Sequence, residues 1–208
     1  ATIEDFSEYI LLNREEFDLV WEFEFLEVPE TQPFSRYDVV LAIDSSGSMT
    51  TNDPGNQRIV VGKEFVSQLG SGLSRAAVVD FDSTATVLSG LTSDQGALNA
   101  ALDQIDSNGG TSISSGVEAA LDLLEPSSIL GPAFKSVVLL TDGAGGYSES
   151  LTSRAAADDV VIYTVGLGPD VDVDLLTGIA SGTGGEYFSA AEAGELQEIF
   201  AAITDITD

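Results

Sequence analysis

Residues 39–48 read Val39-Val40-Leu41-Ala42-Ile43-Asp44-Ser45-Ser46-Gly47-Ser48. Five apolar residues without a polar interruption suit a strand buried on both faces, as in the middle of a parallel sheet. Such a run normally stops in a turn chosen for backbone geometry, for example Asn-Gly or Pro-Gly. This one stops in an acid followed by hydroxyls at alternating positions. Clustered oxygens suit hard divalent cations, but Asp and Ser are also ordinary helix N-caps. The rest of the chain bears on the choice.

The same pattern returns downstream. Ala76–Phe81, Val137–Leu140 and Val160–Val165 are short apolar runs of the buried-strand kind. Helical spacings lie between them: Leu98, Leu102 and Ile105, then Ile113, Val117, Leu121 and Leu124, and a further helix over Gln57–Leu69. A last helix is expected from Leu196, Ile199, Phe200 and Ile203 at i, i+3, i+4 and i+7. Thr86–Leu88, after the turn residues Asp82-Ser83-Thr84, reads as a hairpin partner of the preceding strand, and Glu186–Ser189 as an edge strand. Strands alternating with crossover helices predict an α/β fold. The sheet is doubly wound and mostly parallel, with helices on both faces, of Rossmann-like architecture over residues 35–204.

Residues 1–34 differ. Phe17, Leu19, Trp21, Phe23 and Phe25 alternate with Asp18, Glu22 and Glu24, the pattern of a half-buried antiparallel strand. With Ile10-Leu11-Leu12 as a hairpin partner, they predict an N-terminal β extension closed by Pro29 and Pro33, and residues 205–208 form a tail. The N-terminus carries no basic and apolar leader pattern. Starting at Ala1, the chain reads as a mature or excised segment, a monomeric domain of a larger chain.

Composition removes several function classes. The 208 residues contain no Cys and no His, so disulfides, thiol nucleophiles, imidazole bases and thiolate or His zinc sites are out. Acids outnumber bases 35 to 7, a formal charge of −28. That field repels phosphate backbones and anionic membrane surfaces, which argues against nucleic-acid binding. No apolar stretch reaches the roughly 18 residues of a membrane span, so membrane insertion is not expected. An acidic protein with only Lys63 and Lys135 as lysines suits a salty or calcium-containing exterior.

In a doubly wound sheet, ligands sit outside the carboxyl ends of strands where the strand order reverses. Two polar loops fall at such ends, Asp44-Ser45-Ser46-Gly47-Ser48 and Thr141-Asp142-Gly143, and a third, Ser107-Asn108-Gly109-Gly110-Thr111-Ser112, opens the helix containing Ile113. Each has an ordinary reading: Asp44 and Ser46 as helix caps, Thr111 or Ser112 likewise, and Asp142-Gly143 as a turn. All three together at the ends of the right elements favour a metal cradle.

Asp44-x-Ser46-x-Ser48, the later Gly-Gly-Thr111 and Thr-Asp142-Gly resemble the von Willebrand factor type A domain and its metal-ion-dependent adhesion site. The resemblance covers roughly residues 35–204 and leaves 1–34 outside. It implies that Ser46 and Ser48 bind a divalent cation through their hydroxyls, Thr111 directly or through water, and that Asp44 and Asp142 hold metal-bound waters. Mg²⁺ is the expected cation, with Mn²⁺ and Ca²⁺ as options. The partner implied is a protein presenting a Glu or Asp carboxylate. The function implied is non-enzymatic, adhesion-type protein binding outside a cell or on its surface, in a prokaryote. A cytoplasmic subunit assisting an ATPase or metal chelatase is the alternative.

Other motifs fail. Asp170-Val171-Asp172-Val173-Asp174 begins like a calcium loop, but Leu175 and Ser181 stand where Gly and Glu are required, so a helix start is expected instead. Gly62-Lys63-Glu64 lacks the hydroxyl of a phosphate loop, and Gly166-Leu167-Gly168-Pro169 lacks the third glycine of a dinucleotide fingerprint. A phosphatase-type nucleophile at Asp44 needs a second Asp where Ser46 stands. Asp80 and Asp82 read as the solvated end of a hairpin, and Asp94 as a helix cap.

Overall fold

A strand with neighbours on both edges and helices on both faces must be apolar throughout, and the run Val39–Ile43 is the middle of such a strand. In the computed structural model it belongs to β1, Arg36–Asp44. The structure describes residues 36–68, 74–125, 133–143 and 145–190. The expected N-terminal β extension and the helix of Leu196, Ile199, Phe200 and Ile203 lie outside the described residues. All of the described residues fall in the unit Ser35–Asp208.

After β1 come a single-turn helix α1 (Met49–Asn52), α2 (Gln57–Gln68), β2 (Arg75–Phe81) and β3 (Ala85–Thr92). Then follow α3 (Gln95–Leu102), α4 (Ile113–Leu124), β4 (Ala133–Thr141), α5 (Glu149–Ala157), β5 (Val160–Leu167), α6 (Val173–Ser181) and β6 (Tyr187–Ala190). The six strands form one sheet in the order β3-β2-β1-β4-β5-β6. Only β2 and β3 are antiparallel; β1 runs parallel to both β2 and β4, β4 to β5, and β5 to β6. The strand order therefore reverses between β1 and β4, which is where such a sheet opens a crevice beyond its carboxyl edge.

The alternation of β1 splits the core in two. Val39, Leu41 and Ile43 pack on one face with Val61, Phe65 and Val66 of α2 and Leu98 and Leu102 of α3. Val40 and Ala42 pack on the other with Ile113, Val117 and Leu121 of α4, Leu151 of α5 and Ile179 of α6. The predicted apolar positions of α4 are all buried. No described helix is long and apolar enough to cross a membrane.

Three details depart from the sequence reading. The strand expected over Thr86–Leu88 extends over the eight residues of β3. It is an edge strand with a half-exposed burial pattern, so it continues through Ser89 and Gly90 to Thr92. Ile105 is buried but lies beyond α3, because Gln104 and Ile105 donate to the carbonyls of Ala101 and Leu102 in tighter turns. Helix α5 was not anticipated; its buried face is only Leu151 and Ala155, too little to show periodicity.

Asp94 caps α3 as expected, its side chain accepting from the amides of Gly96 and Ala97 at 2.9 and 3.2 Å. Asp94→Ala leaves those amides to water, so chemical denaturation should show a loss of about 1 kcal/mol with unchanged slope.

Candidate metal centre

The register of the sheet sets the site. Ile43 lies opposite Leu140 on β4, and Asp44 lies opposite Phe81 on β2. Asp44 and the Thr141-Asp142 pair thus leave neighbouring strands at the same level, on the two sides of the switch point.

Asp44 is fully buried. One of its oxygens, Oδ1, accepts from the amide of Ser46 at 2.7 Å, and Oδ2 accepts from the Thr141 hydroxyl at 2.5 Å. The first bond turns the chain sharply after β1 and places the Ser46 and Ser48 hydroxyls 3.1 Å apart. The Ser48 hydroxyl then donates to Asp142 Oδ1 at 2.8 Å, and Asn52 Nδ2 donates to Asp142 Oδ2 at 3.1 Å. The cap reading of Asp44 and Ser46 is overturned. Ser48 is the residue that precedes α1, and it makes no side-chain cap bond.

The Gly-Gly-Thr loop closes over this pair. Asn108 donates its amide to Ser45 O at 2.7 Å and Gly47 donates to Gly109 O at 3.2 Å. Gly109 has φ +78°, and a Cβ there would collide with the Asp82 carboxylate, so the loop requires glycine on both conformational and steric grounds. Ser112, not Thr111, caps α4 by accepting from Ser115 N. Thr111 Oγ1 points toward the third segment: a Cβ on Gly143 would sit 4.0 Å from it. Gly145 packs against the backbone of Thr111, where a Cβ would meet Thr111 O at 2.9 Å. Ser114 N to Gly146 O at 3.0 Å adds a further tie between the second and third segments.

All five predicted residues are therefore found at one end of the sheet. Asp44, Ser46, Ser48 and Asp142 form a continuous hydrogen-bonded chain with Thr141, and Thr111 stands beside Gly143. Two residues in this chain were absent from the predicted set. Thr141 orients Asp44, and Asn52 orients Asp142. Asn52 had a signal, since it falls four positions after Ser48 and so on the same side of one helical turn.

The electrostatics fit a cation. Burial pushes the Asp44 carboxyl above its usual range, and the nearby Asp142 charge adds to this, while hydrogen bonds from Ser46 and Thr141 pull it back down. Among the described residues, the ion pairs of basic side chains go to Asp38, Asp53, Asp103, Asp122, Glu125 and Asp158, not to Asp44 or Asp142. Two buried carboxylates without a basic partner, with hydroxyls between them, make an all-oxygen donor set of the type that hard cations take. No group of three or more acidic side chains able to hold a metal occurs among the described residues, so this mixed cradle is not a purely acidic calcium cage.

Nearby, Asp82 forms the expected hairpin turn, accepting from Thr84 N at 2.9 Å. Asp80 is not the solvated residue that the sequence suggested. It is half-buried, and its Oδ1 has no hydrogen-bond partner. Burial pushes its carboxyl up, opposed by the Ser45 hydroxyl and reinforced by the charges of Asp106 and Asp82.

Residues 38–202 match the family described as von Willebrand factor type A domain. Calcium-activated chloride channel regulator 1 of Bos taurus is 32% identical over 173 residues, 78% of this chain and 19% of that protein. A UPF0353 protein of Mycolicibacterium vanbaalenii is 27% identical over 207 residues, 83% of this chain and 61% of that one. The chain thus spans only about a fifth of the channel regulator it matches. Among solved structures, proximal thread matrix protein 1 from the mussel byssus, with a zinc-occupied MIDAS motif, is 26% identical. It has a TM-score of 0.71 over 83% of this chain and 46% of its own. Fold, topology and sequence match agree, and the chain belongs to the von Willebrand factor type A domain family.

Proposed function

We propose that this domain binds a protein partner through a divalent cation, Mg²⁺ foremost, held by Asp44, Ser46, Ser48, Thr111 and Asp142. The observation that carries the reading is the Asp44–Thr141 and Ser46–Ser48–Asp142 hydrogen-bonded chain, which gathers five oxygen-bearing side chains around two buried carboxylates that have no basic counter-charge among the described residues. Domains of this family are commonly metal-dependent protein-interaction modules, and one neighbour of this fold carries zinc at that motif.

When bound, the cation supplies an electron-poor position for an incoming carboxylate of a Glu or Asp. The residues of this chain set how strong that pull is. Ser46 and Ser48 offer neutral hydroxyls, which leave the positive charge less quenched than carboxylates would. Asp44 is held back by Thr141, and Asp142 by Asn52 and Ser48, so both are oriented to receive hydrogen bonds from coordinated water. Thr111 is carried on a loop fixed by backbone bonds to the first segment, which leaves its hydroxyl available to a ligand-dependent shift. The domain acts by binding rather than catalysis, as part of a longer chain outside a cell or on its surface, where a charge of −28 favours solubility.

The test uses metal-stripped protein and Mn²⁺, whose effect on water-proton relaxation reports the waters it retains. Saturable binding of one Mn²⁺ is expected, followed by a fall in relaxation enhancement as millimolar acetate displaces a bound water. An absence of saturable binding would overturn the reading. Binding that is indifferent to acetate would retain the metal and reject the carboxylate partner.

A further inference from the structure

A second buried charge pair lies next to this site, and the metal chemistry does not use it. Arg58, in the first turn of α2, is fully buried, as is Asp53. Their ion pair measures 2.8 Å from Nη1 to Oδ2. Burying an arginine costs considerable hydration, and a buried pair of this kind is often no more stabilising than an apolar pair of the same volume. Its geometry, not its energy, accounts for its place.

The guanidinium faces two ways. Nη1 takes Asp53 Oδ2 and, at 3.3 Å, Asn56 Oδ1, and Asn56 sits at φ +51°, a conformation that asparagine tolerates. On the other side, Nη2 donates to Asp106 O at 2.6 Å and to Ser107 Oγ at 2.9 Å. Asp53 is tied in turn to both flanking elements. Its amide donates to Met49 O, closing α1, and its carboxylate accepts from the amides of Gln57 and Arg58 at 2.6 and 3.1 Å.

The bridge therefore joins the segment of Ser46 and Ser48 to the loop that leads through Gly109 and Gly110 to Thr111. That loop follows α3 without regular structure and has few other anchors to the first segment. The bonds from Asn108 N to Ser45 O and from Gly47 N to Gly109 O lie just beyond the Arg58 contact.

We infer that Arg58, held by Asp53, is a positioning residue for the candidate metal centre, fixing the Thr111 loop at its distance from Ser46 and Ser48. This rests on the proposed function only in what the positioning serves. Lysine retains the charge but not the planar fork, and it cannot reach Asp53, Asp106 O and Ser107 Oγ together. Arg58→Lys should release the loop while leaving the pair with Asp53 largely in place.

The experiment has two arms on the full 208-residue chain. The first is amide hydrogen exchange without metal. In Arg58→Lys, the amides of Asn108 and Gly47 should exchange about tenfold faster, while those of Val40 and Val138 in the central strands remain unchanged. An equal acceleration everywhere, or none at these two amides, would overturn the inference, since either marks a purely structural arginine. Should Arg58→Lys fail to fold, Ser107→Ala removes one loop contact from outside the core and is read in the same way.

The second arm is a double-mutant cycle on Mn²⁺ affinity. Arg58→Lys and Thr111→Ala should each weaken binding about tenfold, and the double variant should be no weaker than Thr111→Ala alone. Losses that multiply would mean that Arg58 does not act through Thr111. If the parent protein takes up no Mn²⁺ the proposed function falls, and the exchange arm still decides the role of Arg58.

Discussion

Asp142→Ala is expected to weaken Mn²⁺ binding by about 100-fold, while the melting temperature of the metal-free protein changes by no more than about 3 °C. The two effects part because Asp142 has different roles with and without a cation. Groups that orient a bound metal and its waters typically carry 10–100-fold in affinity, and Asp142 belongs at the upper end, being buried and meeting both Ser48 and Asn52. Without the cation its charge faces Asp44, whose carboxyl it helps to push up. Alanine removes that repulsion and also strands the donors of Ser48 and Asn52, and these terms oppose each other within about 1 kcal/mol. For a chain of this size, that corresponds to a few degrees. Calorimetric titration and scanning calorimetry on one preparation read both numbers. A large melting shift with intact Mn²⁺ affinity would reverse the assignment and make Asp142 a structural residue.

Phe81→Ala should cost about 3–5 kcal/mol in stability, the range for emptying an aromatic from a packed core. Phe81 ends β2 and is fully buried beneath α4. The neighbour that makes the site informative is Gly116, in the middle of α4, where a Cβ would come within 2.6 Å of the Phe81 ring. Gly116→Ala alone should therefore destabilise the protein by about 1–3 kcal/mol through overpacking. This happens although alanine is favoured over glycine inside a helix by about 1 kcal/mol. In the Phe81→Ala background the sign should reverse, because the ring no longer opposes the methyl group and the helical preference remains. Denaturant unfolding of the four proteins gives the cycle, and a Gly116→Ala effect with the same sign in both backgrounds would refute it.

The sheet was readable because its central strands are buried on both faces, a condition that permits only apolar residues and so writes itself plainly as Val39–Ile43 and Val137–Leu140. Helix α4 was readable for a related reason: its contact with the sheet runs its full length, and Ile113, Val117, Leu121 and Leu124 mark every turn. Elements with one thin contact were not. β3 meets a single neighbour, and α5 touches the core through two residues. The five candidate oxygens were found because they occur in short local patterns after strong strands. Arg58 escaped notice because its role depends on a partner 48 positions away in the chain. Such partners follow from topology, and no local pattern records them. Asp80 was misread because its neighbours Asp82, Ser83 and Thr84 mark a turn, whereas Asp80 itself lies within β2 and is half-buried.

The place of β1 in the sheet has a consequence for synthesis. It is the first described strand in the chain, yet it pairs with β4, and Asp44 meets Thr141 across 97 positions. At ~5–20 residues per second a ribosome needs roughly 5–20 s to make that stretch. During that time Val39–Ile43 is a short, uncharged, β-prone segment with one edge open, the profile of a nucleus for aggregation. An acid stands at each end of it, Asp38 and Asp44. In the finished sheet Asp38 turns to Arg75 and Asp44 to the site; on the nascent chain, each is a like charge that keeps two copies of the strand apart.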